Sequence, residues 1–456
     1  MPTSTRRARR SRAPSGFLPA SKLSAILRRA QAKQRAPSVS AAVFRGRELL
    51  WRGAVGWADV EARREATPDT RYPIASITKS FVAVAVMQLR DAGALALDDP
   101  VRRHVPEAPA GPTIATLLSH ASGLQREVPG SGWETLEFPS LEEILGSLGE
   151  VELVLEGGGE WHYSNLGFVL LGEVVARLSG TPIERYVDDR ILRPLGLAET
   201  TWAPAEPSAR GYLTHPFADS VFDEPAELDR PGIAAAGGLW STTGDLARWG
   251  AFLHEPDPEV LAPETLAEMR RLRVMAEPQR WSRGWGLGLI LNRIGDRVFV
   301  GHEGGAMGAV SSLLVEQETG VGAVVLANTT AGFDPIAVAG ELAGVVLDAD
   351  EEVEPWRPGE PAPPDLAGVL GRWWSEGTEF VFTWRDGRLE ARGAGGPEWR
   401  RPAVFERVDG DRFRTVSGRE RGEWLEIVRG EDGKPTKLYW ATYACTRDPR
   451  PFGPAA

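Results

Sequence analysis

The sequence contains a single cysteine and no long apolar run. Cys445 is alone among 456 residues, so no internal disulfide can form, which fits a reducing compartment. The longest apolar stretches, such as 81–87, are far shorter than the roughly 20 residues of a membrane-spanning helix. The arginine-rich stretch 6–12 is followed by proline, glycine and lysine, not by the apolar core of an export signal. We expect a soluble, cytoplasmic protein without a membrane partner.

Positive charge is scarce outside the first 36 residues. The formal net charge is −11, yet residues 1–36 hold ten Arg or Lys and no Asp or Glu, so the other residues carry −21. A nucleic-acid site depends on clustered cations that neutralise phosphates. The acidic body therefore predicts no nucleic-acid partner, and the oligomeric state stays open.

Two common catalytic signatures are also missing. No serine lies in a Gly-x-Ser-x-Gly segment, which argues against an α/β-hydrolase. The six histidines form neither His-x-His nor His-Glu-x-x-His, and Ala306 stands where a second zinc ligand would follow His302 and Glu303. We expect no metal and no cofactor, and we interpret His120 as a residue that hydrogen-bonds within a loop.

Local patterns divide the chain into four segments. Residues 1–36 are predicted to form a basic flexible arm that leads into a helix. Residues 37–348 are predicted to form the main domain. A Pro-rich acidic linker, 349–364, precedes a small all-β domain, 365–456, in which short aromatic runs alternate with Asp-Gly turns. We expect the tryptophans of this last domain to fill its core.

The main domain mixes both kinds of secondary structure. A hairpin is predicted from Ser38, and strand character returns at the end of the domain, in 286–291, 298–300, 310–315 and 321–327, which indicates an antiparallel meander. Helical patterns are typical of 76–92 and of the loop-rich stretch between about 95 and 235. The expected fold is α/β of the α+β kind, with an antiparallel sheet flanked by helices and a mostly helical subdomain.

The first chemical signal is Ser76-Ile77-Thr78-Lys79 at the head of an apolar helix. Residues three apart share a helix face, so the Lys79 ammonium can reach the Ser76 hydroxyl. Helix N-terminal amides also favour an alkoxide or an oxyanion. The spacing alone occurs by chance, and the helix context strengthens it.

Two further signals follow along the chain. Tyr163 and Asn165 project from one short segment before a helix, and a phenol near a lysine is expected to have its pKa lowered and to exchange protons. Between two predicted strands lies His302-Glu303-Gly304-Gly305, where glycines would let substrate approach the backbone. Taken singly, a Tyr-x-Asn segment more often serves packing or helix capping than catalysis. The His302 segment, taken singly, could equally be a glycine-rich turn.

Together, in this order, the three signals resemble the signature of the serine β-lactamase and penicillin-binding-protein family. The resemblance is closest to the branch of class C β-lactamases, D-alanyl-D-alanine carboxypeptidases and their esterase relatives. It extends to connecting segments such as 116–124, 194–197 and 237–242, and covers about 38 to 347. The final domain is similar to the small lipocalin-like barrels that follow some relatives.

The resemblance implies a role for each motif residue. Ser76 would be the nucleophile, Lys79 its activator and proton acceptor, and Tyr163 the general acid and base. Asn165 would hydrogen-bond Lys79 and the substrate acyl group, and His302 would lie opposite Tyr163. The amides of Ser76 and Gly305 would form the oxyanion hole, and substrate would contact Asn165, Glu303, Gly304 and Trp240. Three more tryptophans are candidates for the acyl or leaving-group side: Trp133, Trp161 and Trp285.

One departure from the family bears on the substrate. Most β-lactamases carry lysine and threonine where this chain has His302 and Glu303. A mostly neutral imidazole beside a carboxylate should not favour a substrate carboxylate. We expect an acyl-enzyme hydrolase of neutral esters or amides, an esterase or a peptidase or amidase. The alternatives are a D-alanyl-D-alanine carboxypeptidase, a β-lactamase proper, and a catalytically silent binding protein with the same fold.

Overall fold

A computed structural model of the chain describes residues 20–130, 132–155, 159–225, 231–349, 358–375, 377–397 and 400–450. Contacts divide the chain into two compact units, 1–352 and 353–456. The helices of the first unit are α1 Ala20–Gln34, α2 Thr78–Asp91, α3 Ile114–Leu118, α4 Gly132–Thr135, α5 Leu141–Gly146, α6 Asn165–Ser179, α7 Ile183–Val187, α8 Ala234–Gly237, α9 Thr243–His254, α10 Pro263–Met269 and α11 Pro335–Ala349.

The strands of the first unit belong mainly to one antiparallel sheet. They are β1 Ser38–Arg45, β2 Glu48–Asp59, β3 Arg64–Glu65, β4 Tyr72–Pro73, β5 Gly211–Thr214, β6 Val221–Glu224, β7 Trp240–Ser241, β8 Val274–Met275, β9 Arg283–Trp285, β10 Ile290–Ile294, β11 Arg297–Ala306, β12 Ala309–Glu316 and β13 Val321–Ala327. Nine of them form a sheet in the order β3-β2-β1-β13-β12-β11-β10-β9-β8, while β4 pairs with β7 and β5 with β6. The predicted hairpin and meander are both present in it.

The predicted strand 286–291 is wrong over its first four residues. The segment between β9 and β10 is a tight turn in which the Gly286 N–H donates to the Leu289 carbonyl at 2.9 Å. Gly288 adopts a φ of +71°, which a side-chain-bearing residue rarely does. Alternating Gly and Leu therefore mark a turn with buried leucines, and the strand begins only at Ile290.

The central strands are buried on both faces. On β1, Ala42 and Phe44 pack into the larger apolar cluster with α2, α6 and α9. Ala41 and Val43 pack into a second cluster with α1 and α11. Because side chains of a strand alternate between faces, helices on both sides of the sheet explain its nearly continuous apolar sequence.

Two buried helices carry the motif residues. A short 3₁₀ turn, Ala75–Ile77, leads into α2, which ends before Gly93 with a φ of +74°. The Ser164 hydroxyl caps α6 by accepting from the Gly167 N–H at 3.0 Å, and the helix ends at left-handed Gly180.

Among the described residues no single helix has the length and apolarity to cross a membrane; α6 together with 183–192 passes that test only as a pair bent by 75°.

The second unit is an all-β domain that is nearly closed. Its strands follow each other around the sheet in chain order: β14 Gly371–Ser375, β15 Thr378–Arg385, β16 Arg388–Gly393, β17 Ala403–Asp409, β18 Arg412–Thr415, β19 Trp424–Arg429, β20 Pro435–Trp440 and β21 Tyr443–Cys445. An antiparallel bridge between Trp374 and Thr446 joins its two ends. The interior is filled by large side chains, including Trp373, Phe382 and Trp440, so core packing is the role of the inward tryptophans.

Candidate active site

Ser76 lies on a strained turn at the surface of the core. It is the one residue of 71–87 that is not buried. Ala75 just before it has a φ of +46°, a left-handed conformation that is unfavourable for alanine. The Ile74 N–H donates to the Leu239 carbonyl at 2.9 Å and fixes the segment that enters the turn. The backbone therefore presents this hydroxyl while it buries its neighbours.

Lys79 lies directly behind the Ser76 hydroxyl and is fully buried. Its Nζ lies 3.0 Å from Ser76 Oγ and also donates to the Ala236 carbonyl. Burial lowers the pKa of Lys79 to about 7, against the attraction of Glu127 and with the repulsion of Arg126. Near neutral pH a substantial fraction of this amine is therefore free to accept a proton.

Tyr163 closes the other side of Ser76. Its phenol lies beside the Ser76 side chain, and its ring lies 5.1 Å from the Lys79 nitrogen. Burial raises the pKa of Tyr163, an effect that the interaction with Ser76 only partly offsets. The expected lowering by the lysine is therefore wrong. Desolvation dominates, and the phenol is protonated in the resting site.

His120 holds the segment that carries Tyr163. Its carbonyl accepts from the His162 N–H at 2.7 Å, and its Nδ1 accepts from the Ser164 N–H at 3.1 Å. Its ring stacks on the Tyr163 ring with centroids 4.2 Å apart. Since Nδ1 accepts, the ring proton is on Nε2, and burial lowers the pKa of His120 well below its usual value. His120 thus forms hydrogen bonds within the loop, as expected, and these bonds fix the residues on both sides of Tyr163.

Strand β11 brings the third motif beside the turn that precedes Ser76. Pairing with β10 reaches Gly301, so the edge from 302 to 306 extends beyond that neighbour. A Cβ on Gly304 would lie 2.2 Å from the Ile74 carbonyl, whereas one on Gly305 would meet no atom within 4 Å. Only glycine lets the strand lie against the turn before Ser76, and open space begins at the next residue.

His302 is the buried residue of that strand end. Its Nδ1 lies 2.6 Å from the Glu303 carbonyl, so Nδ1 carries the proton and Nε2 is the acceptor. Burial lowers the pKa of His302 to about 3. The imidazole is therefore neutral in the physiological range. The sequence analysis expected a mostly neutral imidazole from the ordinary pKa of histidine.

Glu303 does not stand alone. Its carboxylate forms an ion pair with Arg283 of β9, and the guanidinium lies 5.2 Å from the ring of Trp285. The negative charge of Glu303 contributes to the raised pKa of Tyr163, so the carboxylate lies close enough to act on the phenol. Sequence reasoning missed Arg283 because nothing in its local pattern distinguishes it from other surface arginines.

Asn165 makes a different contact from the one expected. Its Nδ2 donates to both oxygens of Glu127, at 2.8 and 3.0 Å. Its backbone N–H donates to the Arg126 carbonyl at 2.7 Å. Contact with Lys79 and substrate stays a prediction, and Glu127 is a site residue that the motif search did not find.

The candidate tryptophans separate into two groups. Trp285 and Trp161 lie beside Tyr163, with ring centroids 6.2 and 6.3 Å from the phenol. Trp133 is exposed and packs on Phe138. Trp240 is buried in β7, whose pairing with β4 supports the strand before Ser76, so its contact with substrate stays a prediction.

In the described part of the chain, no three His, Cys, Asp or Glu side chains are grouped to hold a metal ion.

Residues 23–346 match the beta-lactamase family. The chain belongs to that family. Residues 362–447 match a domain of unknown function, DUF7586. Esterase EstB from Burkholderia gladioli is 31% identical over 359 residues, which are 68% of this chain and 90% of the esterase. Beta-lactamase-like protein 2 from Dictyostelium discoideum is 33% identical, but the match spans 50% of this chain and only 44% of that protein.

Solved structures give the same family. An octameric penicillin-binding protein homologue from Pyrococcus abyssi is 25% identical with a TM-score of 0.63, and the match covers 94% of this chain and 99% of that one. A D-amino acid amidase from Ochrobactrum anthropi SV3 is 26% identical with a TM-score of 0.63, covering 74% and 99%. Family membership confirms the prediction of a β-lactamase-related serine hydrolase.

Proposed function

We propose that this beta-lactamase-family protein hydrolyses neutral esters or amides through an acyl-enzyme on Ser76. The observation that carries the proposal is the proximity of Ser76 to a buried amine, Lys79, 3.0 Å from its Oγ, and to a half-buried phenol, Tyr163. A free serine is a poor nucleophile and needs an adjacent base. An amine whose pKa is about 7 supplies that base at neutral pH.

Acylation follows from the protonation states of the resting site. Neutral Lys79 accepts the Ser76 proton as Oγ attacks the carbonyl carbon, and the amides of Ser76 and Gly305 stabilise the resulting oxyanion. When the intermediate collapses, the leaving group takes the phenolic proton of Tyr163. The Lys79 ammonium then returns a proton to the phenolate, so both groups end as they began.

Deacylation uses the same groups with water as the nucleophile. Water attacks the acyl carbon and its proton passes to Lys79, by way of Tyr163, while Ser76 Oγ leaves and is reprotonated. Trp161, which is partly exposed, lies beside the phenol and provides apolar surface on that side. This surface suits a hydrophobic acyl or leaving group.

The charges at the third motif favour neutral substrates. His302 is neutral, and Glu303 and Arg283 neutralise each other. Among the described residues, the third motif therefore lacks the unpaired cation that a lysine there would provide to a substrate carboxylate. This supports esterase or amidase activity over efficient hydrolysis of β-lactams or of peptides with a free carboxylate.

A serine-directed fluorophosphonate probe and a rate panel test the proposal. We expect stoichiometric labelling of the wild type, loss of labelling in Ser76→Ala, and higher kcat/KM for short-chain nitrophenyl esters or D-amino-acid amides than for a chromogenic cephalosporin. Absence of both labelling and turnover would favour a silent binding protein. Faster hydrolysis of the cephalosporin would contradict the proposed preference.

We also propose that the protein acts in the cytoplasm, because a chain whose only cysteine is Cys445 gains nothing from an oxidising compartment. Fractionation of cells that express the native gene tests this. Recovery of the protein outside the cytoplasmic fraction would contradict it.

A further inference from the structure

Residues 125–127 hydrogen-bond the start of α6, and Asn165 is bound through both its backbone and its side chain. The Arg126 carbonyl accepts the Asn165 N–H at 2.7 Å, and the Glu127 carboxylate accepts from Asn165 Nδ2. The Gln125 carbonyl accepts the Ser164 hydroxyl at 2.8 Å. Three consecutive residues of one loop thus hold the first turn of α6.

This loop segment is itself braced. The Gln125 side chain donates to the Glu127 carbonyl at 3.0 Å and accepts the Glu152 N–H at 2.9 Å. Glu127 also forms an ion pair with Arg126, at 3.2 Å between Nε and Oε1. The backbone of Glu127 and its carboxylate therefore each have a partner other than Asn165.

A carboxylate partner determines which way the Asn165 amide faces. An ionised carboxylate only accepts hydrogen bonds, so the amide nitrogen must face Glu127. Oδ1 is then the end of the amide that is turned away from Glu127 and remains available to an ammonium or to a substrate N–H. A neutral partner that can both donate and accept would allow either orientation.

Glu127 also brings a negative charge to the amine. It favours the protonated form of Lys79, while Arg126 opposes it. The other titratable groups that face this amine are His120, His302 and Tyr163. All three are uncharged in the resting site, so the charges that act on the amine, in addition to the larger effect of its burial, are those of Glu127 and Arg126.

We propose that Glu127 is a positioning residue of the active site, which orients the Asn165 amide through two hydrogen bonds and whose charge acts on the amine behind Ser76. This inference rests on the proposed function. Glu127 lies outside the three motifs. It acts through Asn165 and Lys79 and forms no bond with Ser76.

Two substitutions separate the charge of Glu127 from its hydrogen bond with Asn165. Glu127→Gln removes the charge and keeps an oxygen that can accept from Asn165 Nδ2, although its amide no longer enforces that orientation, whereas Glu127→Ala removes both the charge and the acceptor. Glu152→Gln is the matched control, because it neutralises an exposed carboxylate of the neighbouring segment. The measurements are kcat and KM against pH for the best substrate of the panel, the pH dependence of probe labelling, and thermal unfolding.

For Glu127→Gln we expect kcat within about threefold of wild type at the pH optimum and an acid limb that moves down by about half to one pH unit, because the ammonium loses its attraction. For Glu127→Ala we expect the same shift and a fall in kcat of about tenfold, with a smaller change in KM. Glu152→Gln should match wild type.

Asn165→Ala tests whether Glu127 acts through the amide. On that background, Glu127→Ala should lower kcat by no more than about twofold further, because coupled residues are not additive. An unmoved acid limb in Glu127→Gln, or a full further loss in the double variant, would overturn the inference. If the wild type is labelled and active but the variants give either of these results, only the inference on Glu127 is refuted. If the wild type is neither labelled nor active, the proposed function is refuted as well.

Discussion

Removing the charge of Glu303 should shift the substrate preference toward carboxylates. In the wild type, Glu303 pairs with Arg283, whose side chain is 21% exposed, while that of Glu303 is 35% exposed. Glu303→Gln leaves the guanidinium without its counter-charge at the pocket of Tyr163. For a substrate carboxylate about 6 Å away, effective dielectric constants between about 80 and 20 give about 0.7–2.8 kcal/mol of attraction.

Since both side chains are partly exposed, we take a value of about 1.4 kcal/mol, which is about tenfold in kcat/KM. The assay compares two substrates that differ only in a free or methyl-esterified carboxylate on the leaving group. The ratio of their kcat/KM values should rise about tenfold in Glu303→Gln, and the gain should shrink at high salt. The double variant Glu303→Gln, Arg283→Gln should lose the gain. An unchanged ratio, or a gain that survives the loss of Arg283, would refute this electrostatic reasoning.

Three other results are expected. The kcat/KM of the wild type should rise with pH through about 7, because Lys79 accepts a proton only in its neutral form; a pH-independent rate between 5 and 9 would contradict this. Gly304→Ala should reduce probe labelling of Ser76 at least about tenfold while Gly305→Ala stays folded and labelled, because only the first Cβ meets the Ile74 carbonyl; equal behaviour of the two variants would count against the proposed packing. Trp373→Ala should destabilise the second unit by about 3–5 kcal/mol in denaturant unfolding, and full stability would show that this core is not formed.

Local patterns predict the contact between Ser76 and Lys79. The Ser76–Lys79 contact joins residues three apart on one helical segment, so spacing alone suffices to propose it. The motif order then predicts that Tyr163 and His302 meet them, and the buried strands of the sheet follow from their nearly continuous apolar sequence. These features depend on neighbours along the chain or on a shared family pattern.

The supporting residues could not be predicted in this way. The contact of His120 with Ser164 spans 44 positions and that of Glu127 with Asn165 spans 38. Each depends on how loops meet in space. The protonation of Tyr163 also depends on burial, which outweighs the nearby positive charge and which a motif does not reveal.

The contact of Gly304 with the Ile74 carbonyl limits how this enzyme can acquire new substrates. Position 304 has no room for a side chain, so we expect variation there to move the strand away from the turn before Ser76. Changes of specificity must instead come from its neighbours, above all from the charged pair beside it. A mutational library aimed at new substrates should hold that glycine constant and vary positions 283, 303 and 305.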